Sequence, residues 1–385
     1  MISYGKQSVN TNDINAVTKA LKKSLITQGD TINHFEKLLS KKLKANYCTV
    51  VSNGTAALNI TANALEWSKK DIIITTPISY ISTSNCILNK GAVPYFIDID
   101  PDTYGIDPNR VEDLLKKNSL IRKKIKAIIG VDYAGHPCDW ESLKELSKKY
   151  KFFLINDNCH SLGSKYNNDL GYASKFADIV TLSFHPVKQI TTGEGGAIIS
   201  NSKLLDEKFK LLRNNGLCKT SKLMKNKGIW FHQFKNLSMN YRMTDFQAAL
   251  GVSQLNRLTS FVKKRKKIAK IYDLEFGNDT RFKIPMTKKN ISHSYHLYPL
   301  LINFDNLKIT KKIFFKKLLN KKIKLQVHYI PINTQPIYKK INKRTKFNLK
   351  NAYNFYKQEV SLPIYYDLKL SQAKKIAKTI KRFLK

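Results

Sequence analysis

One lysine stands apart from the others in a chain that carries 68 lysine and arginine residues. Lys188 lies in the stretch SFHPVKQITTGEGGA at 183–197, where glycines allow the backbone to turn closely around a ligand. A lysine held away from water has a lowered pKa, so its neutral amine can attack an aldehyde and form a Schiff base. The pattern indicates a covalent lysine nucleophile. The alternative is ordinary surface charge, which is the usual role of a lysine in a loop.

A second stretch with chemical potential is SNGTAALNITANAL, which starts at Ser52. A predicted strand runs directly into Gly54, Thr55 and Ala56, which open a helix. Small residues at a helix start leave backbone N–H groups open to an anion, and the helix dipole favours it. This pattern favours a phosphate ligand, and an ordinary helix cap is the alternative.

Two further strand ends carry an aromatic ring, a carboxylate and an imidazole. Tyr80 follows Pro77 at the start of a helix and is suited to stack on a planar ring, although simple packing is the alternative. Asp157 ends an apolar strand, where an unpaired carboxylate is costly, so it needs a partner such as a protonated pyridine nitrogen. His160 lies three residues further on. The alternatives are a hydrogen-bonded turn for Asp157 and a core histidine for His160.

The hydrophobic pattern predicts a scaffold that brings these segments together. Apolar strand-like runs alternate with amphipathic helical runs at 54–67, 80–90, 109–118 and 139–150. The predicted strands are 48–52, 72–77, 93–99, 127–133, 152–157, 179–184 and 196–200. This alternation predicts an α/β fold with a mostly parallel sheet, in which ligands bind at the carboxyl ends of the strands. Taken together, the segments give partners to the ring, phosphate, nitrogen and aldehyde of pyridoxal 5′-phosphate.

The length of 385 residues predicts two domains. We expect a large cofactor-binding domain at 1–255. Two predicted helices, at 9–24 and 31–44, precede its first strand. A long helical stretch from 244 leads into a smaller α+β domain at 256–385. The elements predicted there are a strand at 295–303, a helix at 310–322, a strand at 323–329 and a C-terminal helix.

Composition excludes several other classes of protein. The five cysteines are odd in number and show no C-x-x-C spacing, so we expect neither a disulfide framework nor a metal site. No stretch approaches the roughly 20 apolar residues that span a bilayer, so no membrane insertion is predicted. The first residues lack the basic and apolar regions of a signal peptide, which predicts a cytoplasmic protein.

The formal net charge of +40 raises the possibility of nucleic-acid binding. The lysines are spread along the chain, however, and KKRKK at 263–267 and the basic tail fit helices with solvated faces. No helix-turn-helix or zinc module is added to the chain. We therefore predict no nucleic-acid partner, and a charge that helps to attract an anionic substrate.

The sequence resembles, almost end to end, the DegT-type family of pyridoxal-phosphate-dependent nucleotide-sugar aminotransferases. These enzymes have the aspartate-aminotransferase fold, known as fold type I, and the resemblance implies that fold here. The motifs that carry it are YGKQSV, LITQG, SNGTAAL, TTPISYISTSN, DYAGHP, NDNCHSLGS, SFHPVKQITTGEGGA, MNYRMTDFQAALG, VHYIPI and SLP.

The resemblance implies a role for each matching position. Lys188 forms the covalent bond to the cofactor aldehyde and moves the proton, and Asp157 pairs with the pyridine nitrogen. The other implied cofactor contacts are Ser183 and the backbone of Gly54, Thr55 and Ala56 at the phosphate, Tyr80 on the ring, and His160 against the cofactor. Asn240 matches a residue that reaches the phosphate in the neighbouring subunit, which implies a homodimer. The implied substrate contacts are Tyr4, Thr27, Gln28, Gly29, His328 and Tyr329.

Within the family, the motifs are most similar to those of the pseudaminic acid pathway. That similarity implies transfer of an amino group from L-glutamate to a 4-keto-6-deoxy nucleotide sugar, UDP-2-acetamido-2,6-dideoxy-β-L-arabino-hexos-4-ulose. One alternative is a keto-sugar nucleotide of the GDP-perosamine, bacillosamine or dTDP-sugar type. Others are a pyridoxamine-phosphate-dependent sugar dehydratase, although those enzymes carry histidine in place of Lys188, and a nucleic-acid-binding regulator.

Overall fold

Helices and strands alternate along most of the chain in a computed structural model that describes residues 1–219, 221–341 and 347–384. The α-helices are α1 (Thr11–Leu21), α2 (Asp30–Lys42), α3 (Gly54–Ala64), α4 (Ser82–Leu88), α5 (Pro108–Lys117), α6 (Ser119–Arg122), α7 (Trp140–Tyr150), α8 (Tyr172–Phe176), α9 (Lys203–Arg213), α10 (Ser221–Lys227), α11 (Asp245–Asn256), α12 (Leu258–Phe276), α13 (Lys311–Asn320), α14 (Pro336–Ile341), α15 (Lys350–Gln358) and α16 (Leu370–Phe383). The strands are β1 (Tyr47–Val51), β2 (Ile72–Thr75), β3 (Val93–Phe96), β4 (Ile125–Val131), β5 (Phe153–Asp157), β6 (Lys165–Tyr166), β7 (Ile179–Ser183), β8 (Gly196–Ser200), β9 (Leu217–Cys218), β10 (Gln233–Phe234), β11 (Phe282–Lys283), β12 (Ile291–Ser292), β13 (Tyr298–Ile302) and β14 (Glu359–Leu362).

The central sheet has seven strands in the order β1-β8-β7-β5-β4-β2-β3. The pairs β2–β3, β2–β4, β4–β5 and β5–β7 are parallel, whereas β8 is antiparallel to both of its neighbours. All seven strands predicted from the sequence are in this sheet, with ends that differ by a few residues. The prediction of an α/β fold with a mostly parallel sheet is confirmed.

Both faces of the sheet are buried, which explains why its strands read as nearly continuous apolar runs. One face packs against Phe35 and Leu39 of α2 and Leu143 of α7. The other face packs against α3, through residues such as Ala57 and Ile60. Each fully buried aliphatic or aromatic side chain contributes roughly 1.5–3 kcal/mol relative to exposure. The two layers therefore hold the strand ends in fixed relative positions.

A second core lies in the C-terminal part of the chain, around the antiparallel sheet β11-β13-β14. Its members include Tyr272 of α12, Leu300 of β13, Phe314 of α13 and Ile376 of α16. The predicted helix from 244 is in fact two helices, α11 and α12, which meet at Arg257. The division into domains at 255 and 256 stays a prediction.

The predicted strand at 323–329 is wrong. The segment alternates apolar and polar residues as a strand does, but only isolated bridges form, between Ile323 and Ile2 and between Gln326 and Ser361. The segment lies beside β14, which pairs with β13 over four residues, but it makes only the single bridge at Ser361 to that strand. The segment at 323–329 thus stays extended.

Asp132, at the end of β4, is a fully buried carboxylate that organises the strand ends. It accepts hydrogen bonds of 2.6–3.1 Å from the Cys138 backbone and from the side chains of Trp140, Asn156, Asn158 and Tyr172. Burial raises the pKa of Asp132 to about 6, against the lowering effect of these donors. The carboxylate thereby ties β4, β5 and the start of α7 together.

Asp132→Ala should lower the free energy of unfolding by about 3–5 kcal/mol, because it leaves several buried donors without an acceptor. Urea unfolding followed by circular dichroism measures this change. Asp139→Ala is the matched control, since that side chain only caps α7 through the Ser142 N–H and its loss should cost about 1 kcal/mol. Equal losses in the two variants would contradict the role of Asp132.

None of the helices in the described part of the chain has the length and apolar character needed to cross a bilayer.

Candidate active site

The chemistry-bearing strand ends surround one cavity of about 500 Å³. It lies at the carboxyl ends of β1, β2, β4, β5 and β7, where a parallel sheet presents its ligands. The C-terminal part of the chain closes it from above with His296 and the segment at 326–329, and Tyr4 adds a further wall. Of the residues that the sequence predicts as site residues, the cavity is lined by Tyr4, Gly54, Thr55, Tyr80, Asp157, His160, Ser183, Lys188, His328 and Tyr329.

Lys188 lies in the loop between β7 and β8, and its side chain enters this cavity. Its backbone N–H donates to the His185 carbonyl at 2.9 Å, which turns the loop back toward the cavity. Burial lowers the pKa of Lys188, while the nearby Cys159 and Asp157 act in the opposite direction. The lowered pKa makes the neutral, nucleophilic amine easier to reach than it is for a surface lysine.

Asp157, the last residue of β5, points its carboxylate into the same cavity and is only 5% exposed. Oδ2 accepts a hydrogen bond from Thr83 Oγ1 at 2.7 Å, and Thr83 in turn bonds Ser79 Oγ at 2.6 Å. Oδ1 accepts from the Cys159 N–H at 3.3 Å. A buried carboxylate with two neutral donors still favours a cationic partner, which the cavity has room to admit.

The N-terminus of α3 forms another wall of the cavity. Asn53 caps this helix, its side chain accepting from the Ala56 N–H at 2.8 Å. Gly54 and Thr55 precede that bond, at the positions whose N–H groups have no partner within a helix. A Cβ on Gly54 would stand 2.9 Å from Ser183 Cβ, so only glycine lets the helix start approach β7 this closely. The Ser183 hydroxyl and the helix start therefore form one corner of the cavity, with donors of the kind that suit an anion.

Gly196, at the end of the TTGEGGA turn, keeps β8 close to the same corner. A Cβ there would stand 2.6 Å from the carbonyl carbon of Asn53. The backbone of β8 therefore lies directly against the residue that caps α3. This contact accounts for a glycine at that position of the motif.

His160 is held in one tautomer by its surroundings. Nδ1 accepts from the Ala134 N–H at 3.3 Å, so the ring proton is on Nε2 and is donated to the Tyr329 hydroxyl at 3.1 Å. Burial lowers the pKa of His160 well below its usual value, and the charge of Lys188 lowers it further. The Tyr80 ring lies across the cavity mouth, 6.2 Å from that of Tyr329.

Comparison with known proteins agrees with this geometry. Residues 7–381 match the DegT/DnrJ/EryC1/StrS aminotransferase family. The chain belongs to that family.

Among the relatives of this family member is the UDP-4-amino-4,6-dideoxy-N-acetyl-beta-L-altrosamine transaminase of Campylobacter jejuni, which is 38% identical over 380 residues, or 99% of this chain and 96% of the relative. A solved structure, Helicobacter pylori PseC, described as an aminotransferase involved in the biosynthesis of pseudoaminic acid, has a TM-score of 0.90 at 33% identity and covers 100% of this chain and 99% of its own. The PLP form of the putative sugar aminotransferase Spr1654 from Streptococcus pneumoniae has a TM-score of 0.87 at 26% identity, covering 99% and 98%.

Members of this family are pyridoxal-phosphate-dependent aminotransferases, and this chain is one. The predicted family, fold type, enzyme class and cofactor are therefore confirmed. The residues present fit the cofactor, since one cavity holds an amine, a buried carboxylate and a helix N-terminus. These groups match the aldehyde, the ring nitrogen and the phosphate of pyridoxal phosphate respectively.

Several predicted site residues lie outside the cavity, and their roles stay predictions. Ala56 is buried in the sheet-facing core, and Asn53 takes up its N–H. The segment Thr27, Gln28 and Gly29 lies beside α11, where the Gly29 N–H donates to Asp245 at 2.7 Å. Asn240 is exposed and bridges Asn214, away from the cavity of its own chain.

Thr83 and His296 are among the cavity-lining residues that were not predicted. Thr83 bonds Asp157 from 74 positions earlier in the chain, a relation that no local pattern reveals. His296 is buried with its ring 4.3 Å from that of His160. Within the described residues, His296 Nδ1 is buried and has no hydrogen-bond partner. A histidine next to an apolar strand was the only available signal for it.

Proposed function

We propose that the protein transfers an amino group from L-glutamate to a 4-keto-6-deoxy nucleotide sugar, UDP-2-acetamido-2,6-dideoxy-β-L-arabino-hexos-4-ulose. The observation that carries this proposal is the meeting of Lys188, Asp157 and the N-terminus of α3 in one cavity. The name and 38% identity of the Campylobacter jejuni relative support the choice of sugar. Because nucleotide sugars and L-glutamate are cytoplasmic metabolites, we place the reaction in the cytoplasm.

Bound pyridoxal phosphate supplies an aldehyde carbon for amino-group exchange and a ring that accepts the electrons left behind when a C–H proton leaves. The Lys188 amine would hold that aldehyde between turnovers. Once displaced, the same amine takes the proton from the α-carbon of glutamate and returns it to the cofactor side. The overall exchange balances as L-glutamate plus the 4-keto sugar giving 2-oxoglutarate plus the 4-amino sugar, and the bound cofactor would carry the amino group between them.

The remaining residues bind and orient. The Asp157 carboxylate holds a proton on the ring nitrogen, which keeps the ring able to accept electrons. The Ser183 hydroxyl and the N–H groups of Gly54 and Thr55 bind the phosphate. The net charge of +40 attracts the diphosphate of the nucleotide sugar from solution.

A panel of keto-sugar nucleotides tests this proposal. The enzyme, L-glutamate and one UDP-, GDP- or dTDP-linked 4-keto-6-deoxy sugar are incubated, and products are identified by mass and NMR. We expect an amino group at C4 of the UDP-linked acetamido sugar and one 2-oxoglutarate for each sugar aminated. Preferred amination of a GDP- or dTDP-linked sugar would overturn the choice of substrate.

We further propose that the enzyme is a homodimer whose interface covers the segment at 229–239. Five large apolar side chains of this segment are 63–94% exposed in a single chain: Ile229, Trp230, Phe234, Leu237 and Met239. Exposed apolar side chains this numerous in one short segment, on a chain so rich in lysine, favour a protein interface. A second copy covering it brings Asn240 of one subunit near its partner, which fits the implied role of Asn240.

Leu237→Asp should weaken the dimer by roughly 2 kcal/mol, about a 30-fold higher dissociation constant, because it places a charge in an apolar interface. Sedimentation equilibrium over a concentration series measures this. Leu274→Asp is the matched control, since Leu274 is 74% exposed on α12 and outside the segment. A monomeric wild-type protein, or equal masses for both variants, would contradict the proposed interface.

A further inference from the structure

His328, at the cavity wall, is held by three hydrogen bonds. Its backbone N–H donates to Glu359 Oε2 at 2.9 Å, and its carbonyl accepts from the Tyr133 hydroxyl. Its ring Nδ1 lies 2.8 Å from Ser361 Oγ. The ring also packs against Tyr4, with 5.3 Å between ring centroids. Both the position and the orientation of the imidazole are therefore fixed before any ligand arrives.

The hydrogen bonds fix which ring nitrogen carries the proton. Ser361 Oγ also bonds Glu359 Oε1, and an ionised carboxylate only accepts. The single hydroxyl proton of Ser361 therefore goes to Glu359, so Ser361 must accept from His328. Nδ1 then carries the ring proton, and Nε2 is left with a lone pair.

The Glu359 carboxylate, which sets the direction of these hydrogen bonds, is completely buried. Burial raises the pKa of Glu359 to about 7, while Ser361, Lys311 and the His328 backbone lower it. Glu359 is therefore ionised at mildly alkaline pH. Burial also lowers the pKa of His328 to about 3, so the imidazole is neutral there. A neutral ring with its proton on Nδ1 is an acceptor toward the cavity.

We propose that Glu359 and Ser361 are positioning residues that hold His328 Nε2 as a hydrogen-bond acceptor for the nucleotide sugar. The group that it recognises is then a donor, a sugar hydroxyl or an acetamido N–H, and not a phosphate oxygen. The neighbouring Tyr329 has the opposite polarity, because its oxygen accepts from His160 and its proton is free to be donated. The inference rests on the proposed function and specifies which kind of substrate group His328 recognises.

Glu359→Gln reverses the donor and acceptor roles along the hydrogen bonds from residue 359 through Ser361 to His328, with little change in side-chain volume. Its amide oxygen still accepts from the His328 N–H, and its amide NH₂ donates to Ser361. The Ser361 hydroxyl then donates to Nδ1, which moves the ring proton to Nε2. Ser361→Ala removes the link, and Ser361→Thr keeps a hydroxyl and serves as the conservative control.

The first readout is the histidine tautomer, measured by ¹⁵N NMR at mildly alkaline pH on protein labelled at histidine, with the His328 signal assigned through its loss in His328→Asn. We expect the proton on Nδ1 in the wild type and in Ser361→Thr, and on Nε2 in Glu359→Gln. The second readout is kinetic. In Glu359→Gln the protonated Nε2 of His328 would face a hydrogen-bond donor of the substrate. KM for the nucleotide sugar should therefore rise about 10-fold in this variant. The rate of the glutamate half-reaction should stay within about twofold, because glutamate need not contact Nε2.

A wild-type His328 with its proton on Nε2 would overturn the inference, as would a Glu359→Gln variant that keeps the wild-type tautomer. An equal loss in both half-reactions would also overturn it, since it would indicate only a damaged fold. The tautomer measurement needs no substrate. A wild-type protein that fails to react with glutamate would therefore contradict the proposed function without touching the assignment of the ring proton.

Discussion

Lys188→Ala should lower the turnover number by about 10²–10⁴-fold, because the variant loses the only amine that transfers a proton in the proposed mechanism. The wild-type protein should be yellow with bound cofactor, and borohydride should fix the cofactor onto one peptide. Mass spectrometry should locate that label on Lys188. Steady-state assays with L-glutamate and the keto sugar measure the loss.

The variant should still bind the cofactor, because Asp157 and the corner formed by Ser183, Gly54 and Thr55 are untouched. Lys148→Ala is the matched control, since that lysine is exposed on α7 and far along the chain from the site. It should leave both turnover and labelling at the wild-type level. Retained transamination in Lys188→Ala, or a borohydride label on another lysine, would contradict the role given to Lys188.

Much of the fold is predictable from the sequence because a parallel sheet buried on both faces leaves a strong signal. Runs such as the one at 152–155 are apolar and stop at polar residues, here Asn156 and Asp157. The chemistry-bearing residues stand at those stops, and a parallel sheet gathers the stops at one edge. The amino-acid sequence alone therefore predicts that Lys188 and Asp157 lie close together, and both line one cavity.

Relations between distant segments are the part that local pattern does not reveal. The run at 323–329 alternates as a strand does, but pairing depends on the neighbouring backbone, and the run makes only isolated bridges, one of them to Ser361 of β14. The bond from Thr83 to Asp157 spans 74 residues, and the contact between His160 and His296 joins a strand end to the C-terminal part of the chain. Each is fixed by packing alone.

The segment at 27–29 and Asn240 illustrate a different obstacle. Neither is among the residues that line the cavity of their own chain, so their contacts stay predictions, and the one implied for Asn240 involves a second copy. The apolar side chains at 229–239 are the feature that makes such a copy a physical expectation. Periodicity within one chain cannot distinguish an apolar residue of a core from one of an interface.

Asp157→Asn should have the second-largest effect on the chemistry. An amide cannot hold a proton on the ring nitrogen as a carboxylate does, so the ring becomes a poorer electron acceptor. Loss of a preorganised charge partner in a buried site typically lowers kcat by about 10²–10³-fold. Stopped-flow spectroscopy of the glutamate half-reaction measures this step directly.

Thr83→Val separates the charge of Asp157 from its orientation. Valine has nearly the shape of threonine but removes the hydroxyl that donates to Oδ2 at 2.7 Å. The carboxylate keeps its charge, so we expect a loss of about tenfold, the value of one hydrogen bond to a charged group. A loss in Thr83→Val as large as that in Asp157→Asn would mean that orientation, and not charge, governs the rate.

A cofactor analogue methylated on the ring nitrogen completes the test. The methylated ring nitrogen carries a positive charge whichever residue lies opposite it. The analogue therefore does not need the Asp157 carboxylate to keep that charge in place. It should restore part of the rate in Asp157→Asn, in which the methyl group meets a neutral amide. It should restore nothing in Lys188→Ala, which lacks the amine that moves the proton. Equal behaviour of the two variants toward the analogue would contradict the division of labour between these residues, because the carboxylate would then act on something other than the ring nitrogen.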